Sequence, residues 1–150
     1  MESRLRSKMI HHGALVILLG LLAGFPFALV ITGDLAGSER AWKMAHLEGV
    51  LNGLLLIAVA AAGGNLRLAP RRQAWMAGAF IVTAWGNLVA SVIAAIFEVR
   101  GLEPRGPTAN LVVYAIFMVA VIAVIIGLGL LAKGALAAIP GTQGSREAGA

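Results

Sequence analysis

The chain has no cysteine. Disulfides, thiolate metal ligands, iron–sulfur clusters and covalent c-type haem attachment are therefore excluded. Charge is also scarce: 13% of the residues are Asp, Glu, Lys or Arg, against roughly 25% in a soluble domain. Aromatic residues make up 6% of the chain, with a single tyrosine. No aromatic platform accompanies the basic residues, so the net charge of +5 and the pI near 10.8 do not point to nucleic acid. Instead the basic residues fall in short clusters between apolar runs, where they flank a membrane.

Apolar sequence is plentiful: 59% of residues are hydrophobic and the mean hydropathy is +0.88. Four apolar segments follow one another, about Met9 to Ile31, Ala41 to Gly63, Gln73 to Val99 and Ala109 to Ala132. Each approaches or exceeds the roughly 20 residues that cross a hydrocarbon core as a helix. The first is too long for the apolar part of a cleaved signal peptide, and Pro26 is expected to kink it. The connections "TGDLAGSER", "GNLRLAPRR" and "RGLEPRGPT" are short and rich in turn formers, which makes successive helices antiparallel neighbours. The expected fold is all-α, a membrane four-helix bundle with antiparallel up-down topology over residues 1–139. A flexible tail is expected over 140–150, "PGTQGSREAGA". No internal repeat is evident.

Orientation follows from the basic residues. Arg4, Arg6, Lys8, Arg67, Arg71, Arg72, Lys133 and Arg146 fall on one side, against Arg40, Lys43, Arg100 and Arg105 on the other. Eight against four places both termini in the cytoplasm, with the protein integral to the inner membrane.

Polar residues interrupt the apolar runs in a pattern. At about 100° per residue, Trp42, His46, Gly49 and Gly53 form one stripe of the second helix, and its two glycines let another backbone or a flat rigid molecule come close. Thr83, Asn87 and Ser91 follow at i, i+4, i+8 on the third helix, with Glu98 further along that face. Such a row lines a bundle interior, a subunit contact or a pocket rather than lipid. Asn52 lies about 120° around the helix from His46. It is expected to face Asn87 of its own subunit while His46 faces elsewhere, in a site built from more than one subunit. Each residue also has a purely structural reading. A lone histidine near a helix end is commonly interfacial or hydrogen-bonded, and His11 and His12 are read so. Asn52, Thr83, Asn87 and Ser91 can be interhelical glue worth about 0.6 kcal/mol each. Gly20-xxx-Gly24 and Gly49-xxx-Gly53 can be packing motifs, and Trp42 and Trp75 interface anchors, whereas Trp85 lies too deep for that role. From the residues alone, both readings stand.

"WKMAH" followed by "LNGLLLIAVA" resembles the second helix of the styrene oxide isomerases, where a tryptophan-to-histidine segment precedes an Asn-Gly pair and an aliphatic run. "KMIHHG" resembles the start of that family, with His12-Gly13 as its His-Gly, and "AWGN" at Ala84 to Asn87 resembles its Gly-Trp-Ser-Asn. Arg100-Gly101 also fits, and the resemblance runs from about Arg6 to Leu136. It implies a homotrimer in the lipid bilayer with haem b between subunits. Ferric iron would serve there as a Lewis acid that opens a small epoxide to a benzylic cation, and a 1,2-hydride shift would then give an aldehyde. His46 is the implied axial ligand, with Trp42, Gly49 and Gly53 beside the haem. Asn52 and Asn87 are the implied substrate-pocket residues.

Two positions depart from the family: Thr83 stands where it has an aspartate, and Ser91 where it has a tyrosine. Ser91 implies a wider or wetter pocket and a bulkier epoxide, and Tyr114 is the phenol left to approach from the fourth helix. Glu48 replaces a small residue and is available to a haem-side group or to a loop base such as Arg40. The alternative function is a non-catalytic membrane haem b protein for electron transfer, gas sensing or haem handling.

Overall fold

A computed structural model describes residues 1–140 of the chain. Apart from Pro140, the expected tail lies outside the described residues. Four long helices account for most of the rest: α1 (Ser3–Thr32), α2 (Glu39–Ala62), α3 (Pro70–Ile96) and α4 (Thr108–Leu136). A single 3-10 turn, Gly63–Asn65, follows α2. All four helices are long and apolar enough to cross a membrane.

Local chemistry sets the helix ends. Gly33 ends α1 in the left-handed conformation at φ 81°, and the Asp34 N–H reaches back to the Leu29 carbonyl at 2.9 Å. That is the closure glycine permits without a Cβ clash. Ser38 caps α2 by accepting from the Ala41 N–H, so the helix starts two residues before the apolar run does. α3 stops at Ile96 rather than at Val99, because Glu98 takes φ 51° and the Val99 N–H turns back to the Ala94 carbonyl. A glutamate in this conformation costs about 1 kcal/mol or more. It leaves the Glu98 side chain exposed at the end of the bundle. α1 continues through Pro26 without interruption, and it begins six residues before the apolar run, taking in Arg4, Arg6 and Lys8.

α1 packs on α2, α2 on α3 and α3 on α4, with a smaller contact between α1 and α3. The main core gathers Met9 and Val16 from α1, Leu56 from α2, and Met76, Phe80 and Leu88 from α3. Large apolar side chains stay exposed on α1 (Leu18, Phe25, Ile31) and on α4 (Ile122, Ile125, Leu128). Faces of this kind are at home only against lipid or another chain.

The seam between α1 and α2 is made by glycine. Gly13, Gly20 and Gly24 of α1 meet Gly53, Gly49 and His46 of α2, in that order. At the tightest point the Gly20 and Gly49 backbones touch, and a Cβ on Gly20 would stand 2.7 Å from the Gly49 Cα. Contact this close is what paired small-xxx-small motifs provide where no hydrophobic drive separates helix from lipid.

At the far end, Asn110 organises the α3–α4 loop. Its side chain accepts from the Gly101 N–H at 2.8 Å and donates to the carbonyls of Glu103 and Arg105 at 2.9 and 2.7 Å. Gly101 itself sits at φ 60° against Val113, where a side chain would be both strained and crowded. The loop is thereby held over the end of α3.

Candidate functional site

The glycine seam positions His46. Its Nδ1 lies 2.9 Å from the Gly20 carbonyl oxygen, and its ring stacks on Phe27 at 6.5 Å and 17°. A carbonyl only accepts, so Nδ1 carries the proton and the neutral ring keeps a lone pair on Nε2. Nε2 has no partner among the described residues, yet no partnerless side-chain nitrogen or oxygen there is buried. The lone pair therefore opens at the surface of the α1–α2 pair. A histidine oriented through one nitrogen and free at the other is arranged as metal-ligating histidines are.

His12 has the opposite arrangement. The Trp85 indole N–H donates to its Nδ1 at 3.2 Å, which leaves the proton of the neutral ring on Nε2. This ring presents a donor rather than a lone pair. Among the described residues no three His, Asp or Glu gather to hold a bare ion. A metal on His46 would have to bring its other donors with it, as the iron of a porphyrin does.

The glycine stripe beside His46 is covered. Gly49 and Gly53 are buried against the α1 backbone, so the surface that the sequence offers to a flat molecule is taken by the chain's own first helix. The open ground around the imidazole is the outer side, with Phe27. Trp42 is half-buried and packs beside Gly37.

A second constellation lies between α2 and α3, on the other side of α2 from His46. Asn52, 8% exposed, donates both hydrogens of its amide to Glu48, one to the backbone carbonyl at 2.9 Å and one to Oε2 at 2.6 Å. Its Oδ1 accepts from Asn87 Nδ2 at 3.3 Å. Asn52 thus has its amide nitrogen engaged twice and its Oδ1 once within the protein, whereas Asn87 keeps one N–H and its Oδ1 without a partner among the described residues. Glu48 contacts neither Arg40 nor a loop; its carboxylate holds Asn52.

The row on α3 fans out. Thr83 is 2% exposed and donates to the Ala79 carbonyl at 2.9 Å and the Ala120 carbonyl of α4 at 3.2 Å. Asn87 turns to α2. Ser91 borders a cavity of about 650 Å3 formed where the start of α2, the end of α3 and both adjoining loops converge. Each step of four residues turns the direction by about 40°, enough to pass from one neighbour to the next. Glu48, Met44, Phe117 and Ala94 also line this cavity, with Arg40, Glu98 and Arg100 exposed at its mouth. Tyr114 is half-buried at the start of α4, under the Gly101 turn, and does not border the cavity, to which α4 contributes Phe117.

The family model for styrene oxide isomerase matches residues 5–136, a span that takes in all four helices. The chain belongs to the styrene oxide isomerase family. No curated protein matches it individually. Membership of the styrene oxide isomerase family implies isomerase activity, and it bears on the polar residues just described. The Asn52–Asn87 pair and Ser91 face the space between α2 and α3, Thr83 is consumed in packing against α4, and His46 stands apart, turned from α2 towards α1. Sequence reasoning missed Phe27, the Gly20 carbonyl and Glu48 as the holder of Asn52. The Gly20-xxx-Gly24 and Gly49-xxx-Gly53 motifs carried the signal for the first two, since such motifs on consecutive helices tend to pair. The i, i+4 spacing of Glu48 and Asn52 carried it for the third.

Proposed function

We propose that this protein is a haem b-dependent epoxide isomerase of the membrane, converting an epoxide to an aldehyde, with His46 as the residue that would hold the haem iron. The observation that carries the reading is the His46 ring, held through Nδ1 by the Gly20 carbonyl with its Nε2 lone pair open. When bound, ferric haem supplies a Lewis acid for the epoxide oxygen. His46 and Phe27 would hold it on the outer side of the α1–α2 pair. The exposed apolar faces of α1 and α4 support the homotrimer, in which a neighbouring copy would cover that side. The opposite order of the glycine contacts on α1 and α2 supports an antiparallel up-down bundle. The excess of basic residues at one end supports an inner-membrane protein with both termini in the cytoplasm.

The reaction sets what the chain's own residues must do. A carbon–oxygen bond of the epoxide breaks, a hydride moves from the neighbouring carbon, and no atom or electron is gained or lost. No general base is required, but water must be kept away, because it would trap the opened ring as a diol. Met44, Ala94 and Phe117 give the α2–α3 cavity an apolar wall. Because His46 faces the other side of α2, that cavity would serve the haem held by a neighbouring copy, whose packing over exposed Met44 would complete the exclusion of water. Asn87 lies one turn before Ser91 and is not itself a wall of the cavity. Its free N–H would orient, by a neutral hydrogen bond, a substrate that reaches past Ser91, and Asn52 positions Asn87.

The test is styrene oxide added to detergent-purified protein with the product identified by gas chromatography. Phenylacetaldehyde is the expected product, and its absence from haem-loaded protein removes the reading. Asn87→Ala is expected to lower kcat/KM on the order of 10- to 100-fold with haem content retained. An unchanged rate would return Asn87 to the role of interhelical glue.

A further inference from the structure

Two oxygens in the cavity have no partner among the described residues. Ser91 is 5% exposed, and its hydroxyl makes no hydrogen bond among the described residues, not even to the helix carbonyl four residues back. Since no partnerless side-chain oxygen there is buried, the Ser91 oxygen is the part that reaches the cavity. Facing the same cavity from α2 is Glu48. Its Oε2 is fastened to Asn52, while Oε1 has no hydrogen-bond or ion-pair partner among the described residues and is likewise not buried. The orientation is determined: Asn52 turns its amide nitrogen to Glu48 because its oxygen is held by Asn87. One carboxylate oxygen is therefore pinned, and the other is presented at a defined place. The remaining wall nearby, Met44, Ala94 and Phe117, is apolar.

This combination selects chemistry. A carboxylate oxygen needs a donor, and a serine hydroxyl can give or take. An anion is repelled by Glu48. A cation gains little, because at the mouth it meets two positive charges, Arg40 and Arg100, against the one negative charge of Glu98. A hydrocarbon leaves both oxygens without partners once it displaces water from them. A neutral hydroxyl satisfies both at once, donating to Glu48 Oε1 and accepting from Ser91 Oγ. We infer that Glu48 and Ser91 form a hydroxyl-reading pair, and that the substrate is an apolar epoxide carrying a hydroxyl group away from the ring that reacts. The substrate class rests on the isomerase reading; the recognition itself does not.

Binding and turnover separate the two. Titration calorimetry in detergent, corrected with empty micelles, would compare two inert probes of equal shape, 4-ethylbenzyl alcohol and 1,4-diethylbenzene. The haem-loaded protein is expected to bind the alcohol at least about tenfold more tightly, since a site built for a hydroxyl rejects the analogue that lacks it. Glu48→Leu and Ser91→Ala should each bring the ratio towards one; Ser91→Ala serves if Glu48→Leu does not fold. Equal affinity of the two probes for the unaltered protein overturns the pair, as does a preference that survives both substitutions. Turnover is read with 4-(hydroxymethyl)styrene oxide against 4-ethylstyrene oxide, where the first should show the higher kcat/KM by a similar factor. Selective binding with neither epoxide converted keeps the pair and removes the isomerase reading. Conversion of both at equal kcat/KM, with equal binding, keeps the isomerase and removes the pair.

Discussion

His46→Ala protein, purified in detergent, is expected to carry almost no haem: the Soret absorbance per mole of protein falls to background. Among the described residues the His46 imidazole is the one with a lone pair open and its other nitrogen fixed, by the Gly20 carbonyl at 2.9 Å. Without the ring, Phe27 offers only stacking and the backbone offers no donor to iron. The substitution also removes one hydrogen bond and the packing beside Gly24, at about 1–2 kcal/mol together. The four-helix fold and its assembly should survive that. Imidazole added to the growth medium supplies the missing ligand and should restore part of the absorbance, which a purely structural role for His46 would not allow. His12→Ala is the comparison, since its Nδ1 is engaged by Trp85 and its other nitrogen carries the proton. Haem content should fall in the first variant and hold in the second. Undiminished haem in His46→Ala protein would overturn the ligand assignment.

Gly49→Ala is expected to cost about 3 kcal/mol, the upper end of overpacking penalties, for the addition of one methyl group. A Cβ at position 49 would run into the Gly20 Cα and stand 2.9 Å from the Gly20 N and 3.1 Å from the Val16 carbonyl. All three are backbone, so no side chain can swing aside; α1 and α2 must part. His46 lies one turn away and takes its orientation from Gly20, so parting the helices also lengthens the bond to Nδ1. Gly129→Ala is the matching control. Nothing lies within 4 Å of a Cβ there, so the same change in the same kind of helix should stabilise by up to about 1 kcal/mol. Unfolding of the two variants in detergent, followed by circular dichroism and by the Soret band, measures both effects. Equal midpoints would show that the glycine seam can open without loss.

Composition and run length were enough to read four membrane-length helices from the chain, because the bilayer demands about 20 apolar residues in a row whatever the neighbours are. Helical periodicity likewise put His46 and Asn52 on different sides of α2, a matter of rotation per residue that tertiary contacts hardly alter. The family could be read from the order and spacing of "WKMAH", "LNG" and "AWGN", and the match over residues 5–136 shows it. Helix ends were less legible. Nothing in the bare sequence announces that Glu98 adopts φ 51° and stops α3 early, since that conformation is set by the loop that Asn110 holds.

Partner choice is where the sequence falls silent. A glycine stripe is compatible with a helix, a second subunit or a flat cofactor, and only the arrangement of α1 decides that its own backbone covers Gly49 and Gly53. A glutamate two residues from His46 suits several roles, and only the meeting of α2 with α3 commits it to Asn52 and the cavity. Periodicity states the direction in which a side chain leaves its helix. What stands at the end of that direction depends on how helices distant in sequence come together, and this the tertiary structure alone decides.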